Sequence, residues 1–169
     1  AYLVATRPER PIANIGAITA PGAIGAEYFS GEHFDHKILE RSDDQIAVAP
    51  DAPPPDPQLG TKPWSVRWSG YILFDQPGRW HLCGRADEGQ RIYLNHRLLV
   101  DDWTHDEIRT ACATVNVQPG WYPLRVEYHR GTGPAALSVL RGPPRRSLAA
   151  VPPSALCCGT SAPRAPASS

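Results

Sequence analysis

Between residues 64 and 141 apolar and polar positions alternate in short runs, and each run ends in turn-forming residues. Val66 to Phe74 is apolar and aromatic and is broken by Gln76-Pro77-Gly78. In Trp80 to Cys83, Trp80 and Leu82 fall on one face and His81 and Cys83 on the other. Ala86-Asp87-Glu88-Gly89 interrupts, Arg91 to Leu94 resumes, Asn95-His96 turns, and Leu98 to Val100 returns. Ile108 to Val117 alternates weakly, with Ala113, Val115 and Val117 opposite Cys112, Thr114 and Asn116. Trp121 to Tyr128 is the clearest strand, its Tyr122, Leu124, Val126 and Tyr128 facing one way and Arg125 and Glu127 the other. Ala136 to Arg141 is the last, and Glu27 to Phe34 opens the series. Period-two alternation with turns this frequent predicts antiparallel β structure, packed as two sheets.

Composition narrows the class. The chain has 169 residues, enough for one domain with a real core. Its 19 prolines and 14 glycines disfavour long helices. A formal net charge of zero gives no pull toward nucleic acid or an anionic membrane. No apolar run is long enough to span a bilayer as a helix. The opening residues Ala1 to Ala5 have neither the length nor the basic start of a signal peptide, as in a mature form or a piece of a longer protein.

The ordered set of motifs resembles the PA-fourteen domain, a β-sandwich module named after the anthrax protective antigen. The matching residues are Ser65 to Tyr71, Gly78-Arg79-Trp80, Ala86 to Asn95, Leu99 to Trp103 and Tyr122 to Tyr128. Gly25 to Phe29 resembles the family's opening strand. The resemblance implies an all-β, antiparallel sandwich over residues 24–156. Residues 1–23 then read as an extended arm rich in Ala, Ile, Gly and Pro, and 157–169 as a Pro/Ala/Ser-rich tail that is disordered when alone. Residues 50–63 are proline-rich and are expected as extended polyproline on the surface.

Four cysteines allow three pairings. Cys83 and Cys112 both lie opposite the apolar faces of their strands, so they can meet on one side of a sheet. Cys157 and Cys158 are then left to each other or to another molecule, and a link from either strand to the tail is the competing pattern. Resemblance to an exported family favours disulfides and an extracytoplasmic location.

The resemblance also locates a candidate site. In sugar-binding members of the family two adjacent acids, joined by a cis peptide, hold a calcium ion that contacts sugar hydroxyls. Asp87 and Glu88 occupy that place here. A hard cation wants oxygen ligands, and both residues supply them. A second ligand loop follows the long strand, and Arg130 matches the position of its ligating asparagine. Arginine cannot ligate calcium, so an ion pair from Arg130 to Asp87 or Glu88 is the structural alternative. His129 and Trp103 complete the candidate carbohydrate-binding set. For Trp103 the blander expectation is packing in the sandwich, with Asp101 and Asp102 capping a turn. His33, Asp35, His36, Asp43 and Asp44 are expected to be solvated loop residues rather than a metal cluster. No motif for a nucleophile, a phosphate loop or a helical histidine pair is present.

These readings predict a non-catalytic, extracytoplasmic module that binds cell-surface glycan, with calcium as its candidate ion. The alternative is an assembly module that docks a protein complex through its extended ends. That alternative rests on Ile12, Ile15, Ile18 and Ile24, which could lie in a groove of the domain itself or of a neighbour.

Overall fold

A computed structural model describes residues 8–50, 52–104 and 107–158. The arm before residue 8 and the tail from residue 159 lie outside them.

The strands are β1 (Ile24–Ser30), β2 (His36–Asp43), β3 (Ala47–Val48), β4 (Trp64–Phe74), β5 (Gly78–Ala86) and β6 (Gln90–Leu94). They continue as β7 (Arg97–Asp102), β8 (Arg109–Val117), β9 (Gly120–Arg130), β10 (Leu137–Gly142), β11 (Ala149–Ala150) and β12 (Leu156–Cys157). A 3-10 turn, Pro153–Ala155, precedes β12. One sheet has the order β2-β1-β4-β9-β6-β7, with β12 added to β4. The other has the order β11-β10-β5-β8, with β3 added to β10. Every strand pairing is antiparallel.

Alternation explains which side of each strand is wet. In β9, Tyr122, Val126 and Tyr128 are wholly buried between the sheets. From β4, Val66, Trp68, Ile72 and Phe74 join them, all wholly buried. Phe74 meets Trp80 of the opposite sheet edge-on, with ring centres 5.0 Å apart. Edge-to-face aromatic pairs of this kind add to plain area burial. The buried polar tips are answered. Tyr28 donates to Asp43 Oδ2 at 2.5 Å and the Trp68 indole N–H donates to the same oxygen at 2.9 Å. Asp43 is therefore a half-buried strand residue and not a solvated loop acid. Burial, more than the neighbouring Asp43, pushes the Tyr28 hydroxyl far above its ordinary pKa.

One further expectation is corrected, and the arm takes one of its two expected places. The proline-rich loop is not polyproline throughout, because residues 57–61 form turns that insert Leu59, 1% exposed, into the core. The Asp56 carboxylate accepts from the Gln58 N–H at 2.8 Å and starts that turn. The arm, from residue 8 onward, lies on its own domain. Ile12 N–H donates to the Trp121 carbonyl and Trp121 N–H to that of Ala13, while Pro21 bridges to Cys157. Of the four arm isoleucines, Ile18 and Ile24 are buried, and Ile12 and Ile15 stay half exposed.

Cys83 and Cys112 face each other in the β5–β8 ladder, Cα atoms 4.1 Å apart, and are bridged. Cys157 and Cys158 are joined to each other.

Candidate functional site

The register brings four connections to one end of the sandwich. Gln90 at the start of β6 pairs with Tyr128 near the end of β9 and with Asp102 at the end of β7. Ser30 at the end of β1 pairs with Trp64, which pairs with Arg130. The β1–β2, β5–β6, β7–β8 and β9–β10 connections therefore cluster, although their residues are far apart in sequence. The arm fastens to the opposite end, where Tyr122 donates to the Glu9 carbonyl and Asn95 to the Glu9 carboxylate.

Asp87 and Glu88 open the β5–β6 connection, and their carboxylates do different work. Asp87 Oδ1 accepts from the Tyr128 hydroxyl at 2.7 Å and from the Ala136 N–H at 3.1 Å. It thereby ties the end of the core to the start of β10. Burial, with Asp87 second, drives the Tyr128 hydroxyl pKa strongly upward, so that hydroxyl stays a donor. Glu88 Oε2 accepts from the Gly131 N–H at 2.7 Å. Burial raises the Glu88 pKa, the Gly131 hydrogen bond and His129 oppose the rise, and Asp87 and Glu32 add to it. No peptide among the described residues is cis.

Arg130 does not pair with either acid. Its Nε donates to the Gly133 carbonyl at 2.6 Å, and its terminal nitrogens reach the Thr132 and Lys62 carbonyls at 3.5 Å. The guanidinium sits inside its own loop, where three carbonyls use its fork of donors. The expected acid–arginine pair is thus replaced by an arginine that shapes the β9–β10 loop.

Trp103 is not in the sandwich core. It is half-buried outside the first sheet, with the Arg91 guanidinium 3.9 Å above its ring and the His129 ring centre 4.4 Å away. Asp101 and Asp102 are strand residues that form ion pairs. They end β7: the register puts Asp101 opposite Arg91 of β6, and Asp102 reaches Arg109 at the start of β8 in the other sheet. The Trp103 carbonyl accepts from His129 Nε2 at 2.7 Å. Gly89 makes that contact possible, since a Cβ there would stand 2.0 Å from the Trp103 oxygen and 2.1 Å from His129 Nε2.

A cavity of about 420 Å3 opens on the other side of Glu88. Asp87 and Glu88 line it together with Ile108, Thr132, Gly133 and Pro134. Trp103 and His129 belong instead to a second group, with Glu32 of the β1–β2 turn. Glu32 Oε1 is 2.8 Å from His129 Nδ1, and ligand atoms of Glu32, Glu88 and His129 all lie within 4.8 Å of one another. Glu32 was missed by sequence reasoning, because only the folded turn carries it over β4 toward β9. The cluster of His33, Asp35, His36, Asp43 and Asp44 does not converge: His33 faces His129 and Trp103, and Asp43 faces Tyr28.

The family model for the PA14 domain matches residues 19–153. The chain belongs to the PA14 domain family. Among its relatives, Anti-sigma-I factor RsgI3 of Acetivibrio thermocellus is 27% identical over 131 residues, 76% of this chain and 20% of that protein. The chain thus spans about a fifth of the length of the curated relative it matches. A solved anti-sigma factor domain-containing protein is 26% identical with a TM-score of 0.75, covering 80% of this chain and 47% of that one. The PA14 sugar-binding domain from an RTX adhesin is 14% identical with a TM-score of 0.60, covering 78% and 95%. At that identity the adhesin likeness shows the shared fold alone. Among the described residues no helix is long and apolar enough to cross a membrane.

Proposed function

We propose that the chain is a non-catalytic, extracytoplasmic PA14 module that binds glycan in the cavity beside Asp87 and Glu88, as the sensing part of a longer protein. The cavity carries this reading. It has room for one or two sugar rings, and its lining combines the two things a sugar needs. Ile108, Pro134 and Ala136 offer an apolar floor for the C–H face of a ring. Asp87 and Glu88 offer acceptors for hydroxyls, since Asp87 Oδ2 and Glu88 Oε1 carry none of the hydrogen bonds described above. The adhesin neighbour is titled a sugar-binding domain, which supports the same reading. The anti-sigma relatives support a role in reporting what is bound outside the cell. The Cys83–Cys112 bridge fits an oxidising compartment.

In this proposal sugar binding does not depend on calcium. Two free carboxylate oxygens fall far short of the six to eight that calcium takes. The other two oxygens are held by protein donors, and Arg130 stands where the family pattern has a ligand. A glycan array read with and without calcium tests both parts. Binding retained in chelator supports the proposal, binding seen only with calcium restores the ion between Asp87 and Glu88, and no binding to any glycan removes the sugar. Ile108→Asp is the control: Ile108 is 52% exposed, so the fold tolerates the change while the cavity floor loses its apolar surface.

The assembly alternative had its ground in the arms. Residues 8–22 of the arm are engaged with the domain's own β9 and β12, so no partner is needed to hold them.

A further inference from the structure

We propose that Glu32, Glu88 and His129 form a binding site for a divalent transition-metal ion of the zinc type, with His129 ligating through Nδ1. The inference does not rest on sugar binding, and its ion is not the calcium of the acid pair: Asp87 takes no part.

The histidine tautomer is the first support. Nε2 lies 2.7 Å from the Trp103 carbonyl, and a carbonyl only accepts. Nε2 therefore carries the proton, and in the neutral ring the lone pair is on Nδ1. A metal-bound histidine characteristically hands its other N–H to a carbonyl or carboxylate, which fixes both tautomer and ring orientation. Gly89 and the end of β7 build that arrangement into the fold.

The environment of Nδ1 is the second. The side chain is 10% exposed. Nδ1 itself is buried and has no hydrogen-bond partner. Glu32 Oε1 comes within 2.8 Å, yet it stands off the direction in which an N–H at Nδ1 would point. A buried nitrogen without a partner is costly, and a misaligned oxygen does not relieve it. A shared ion does, because ligands surround an ion instead of lying along one another's lone pairs. At zinc–ligand distances of about 2.0–2.2 Å the edges of a tetrahedron are roughly 3.4 Å. The three ligand atoms lie within 4.8 Å of one another, and Glu32 Oε1 and His129 Nδ1 at 2.8 Å stand inside that edge, so modest turns of the two glutamates bring the three to it.

The donor set chooses the metal. One imidazole nitrogen and two carboxylates suit zinc and its neighbours, whereas calcium takes oxygen ligands in greater number. Three protein ligands leave a fourth position, and Glu32, 37% exposed at its side chain, lets solvent reach it.

The test uses the full chain stripped with chelator and titrated calorimetrically with zinc chloride, and in parallel with calcium chloride. One zinc per chain, a raised Tm with zinc, and no response to millimolar calcium are expected. Cobalt(II) should give the intense visible absorption of a four-coordinate site. Glu32→Gln lies on a partly exposed turn and leaves the fold intact. It should weaken zinc at least tenfold, which separates this site from adventitious binding by other histidines. His129→Gln should abolish the cobalt spectrum, and Asp87→Asn should leave zinc affinity unchanged. Absence of zinc heat in the parent chain would overturn the proposal and leave an ionic Glu–His–Glu group. So would unchanged affinity in Glu32→Gln, or displacement of zinc by equimolar calcium.

Discussion

At the scale of single residues, one carboxylate can do structural and recognition work together, and Asp87 illustrates it. Its Oδ1 holds the hydroxyl of Tyr128, a wholly buried residue, and the N–H that begins the approach to β10. Removing it strands both donors, and an unsatisfied buried donor costs about 1–3 kcal/mol. Asp87→Ala is therefore expected to lower stability by about 2 kcal/mol in urea unfolding as well as to weaken glycan binding, whereas Ile108→Asp weakens binding alone. Glu127 is a second such residue. It is 3% exposed on the outer face of β9, within reach of Arg67 at 3.0 Å, Arg91 at 3.3 Å and Arg125 at 3.6 Å. Glu127→Ala leaves three cations facing one another. Because those arginines are partly wet, the expected loss is about 2 kcal/mol, below that of a fully buried pair, and the Tm in low salt checks it. The sequence already placed Glu127 and Arg125 on one face of their strand, since parity alone decides that. It could not say that Arg130 would turn into its own loop, because a guanidinium takes whichever carbonyls the loop offers.

At the scale of elements, alternation made the long strands legible and the irregular segments opaque. β4, β5 and β9 were visible because apolar and polar side chains alternate along them, although β9 is covered on both faces and only Arg125 in it is exposed. The β1–β2 turn was not, because Glu32 carries no local signal and acquires its neighbours only when β1 and β4 set the turn beside β9. The proline-rich loop misled for a related reason: Pro53-Pro54-Pro55 is stiff, but Leu59 behind it finds a pocket in the core, and that burial turns the chain back. The arm was legible as apolar but not in its target. Ile18 packs against Trp121 and Cys157, a small cluster outside the main core. Ile18→Ala is expected to cost about 2–3 kcal/mol, toward the low end for a core isoleucine because the site lies near the surface. Deleting residues 1–20 should go further, baring Trp121 and Cys157. Enhanced binding of a hydrophobic dye and faster amide exchange in β12 are the expected readouts, and unchanged exchange would show that the arm contributes nothing to that edge.

At the scale of the whole molecule, the two sheets are unequally secured. The first has six strands in its main path and takes up β12 and the arm as well, while the second ends at β8 as an open edge. An edge strand is held by one ladder instead of two, and β8 has its ladder with β5 plus, at its last residues, a bridge from Glu9 of the arm to Val117. The Cys83–Cys112 bridge crosses that single ladder near its middle. It closes a loop with a sequence separation of 29, for which chain entropy gives about 3–4 kcal/mol of stabilisation. The bridge has a functional side, because β8 begins one residue after Ile108, on the cavity floor. Loosening β8 should therefore loosen the cavity before it unfolds the sandwich. Replacing both Cys83 and Cys112 by Ala is expected to lower the urea midpoint and to speed amide exchange along Arg109 to Val117 while β4 and β9 stay protected. Glycan affinity should fall together with that local exchange. If affinity were lost only at urea concentrations that unfold the whole chain, the cavity would be supported by the first sheet and the β9–β10 loop alone, and the bridge would serve stability without shaping the site.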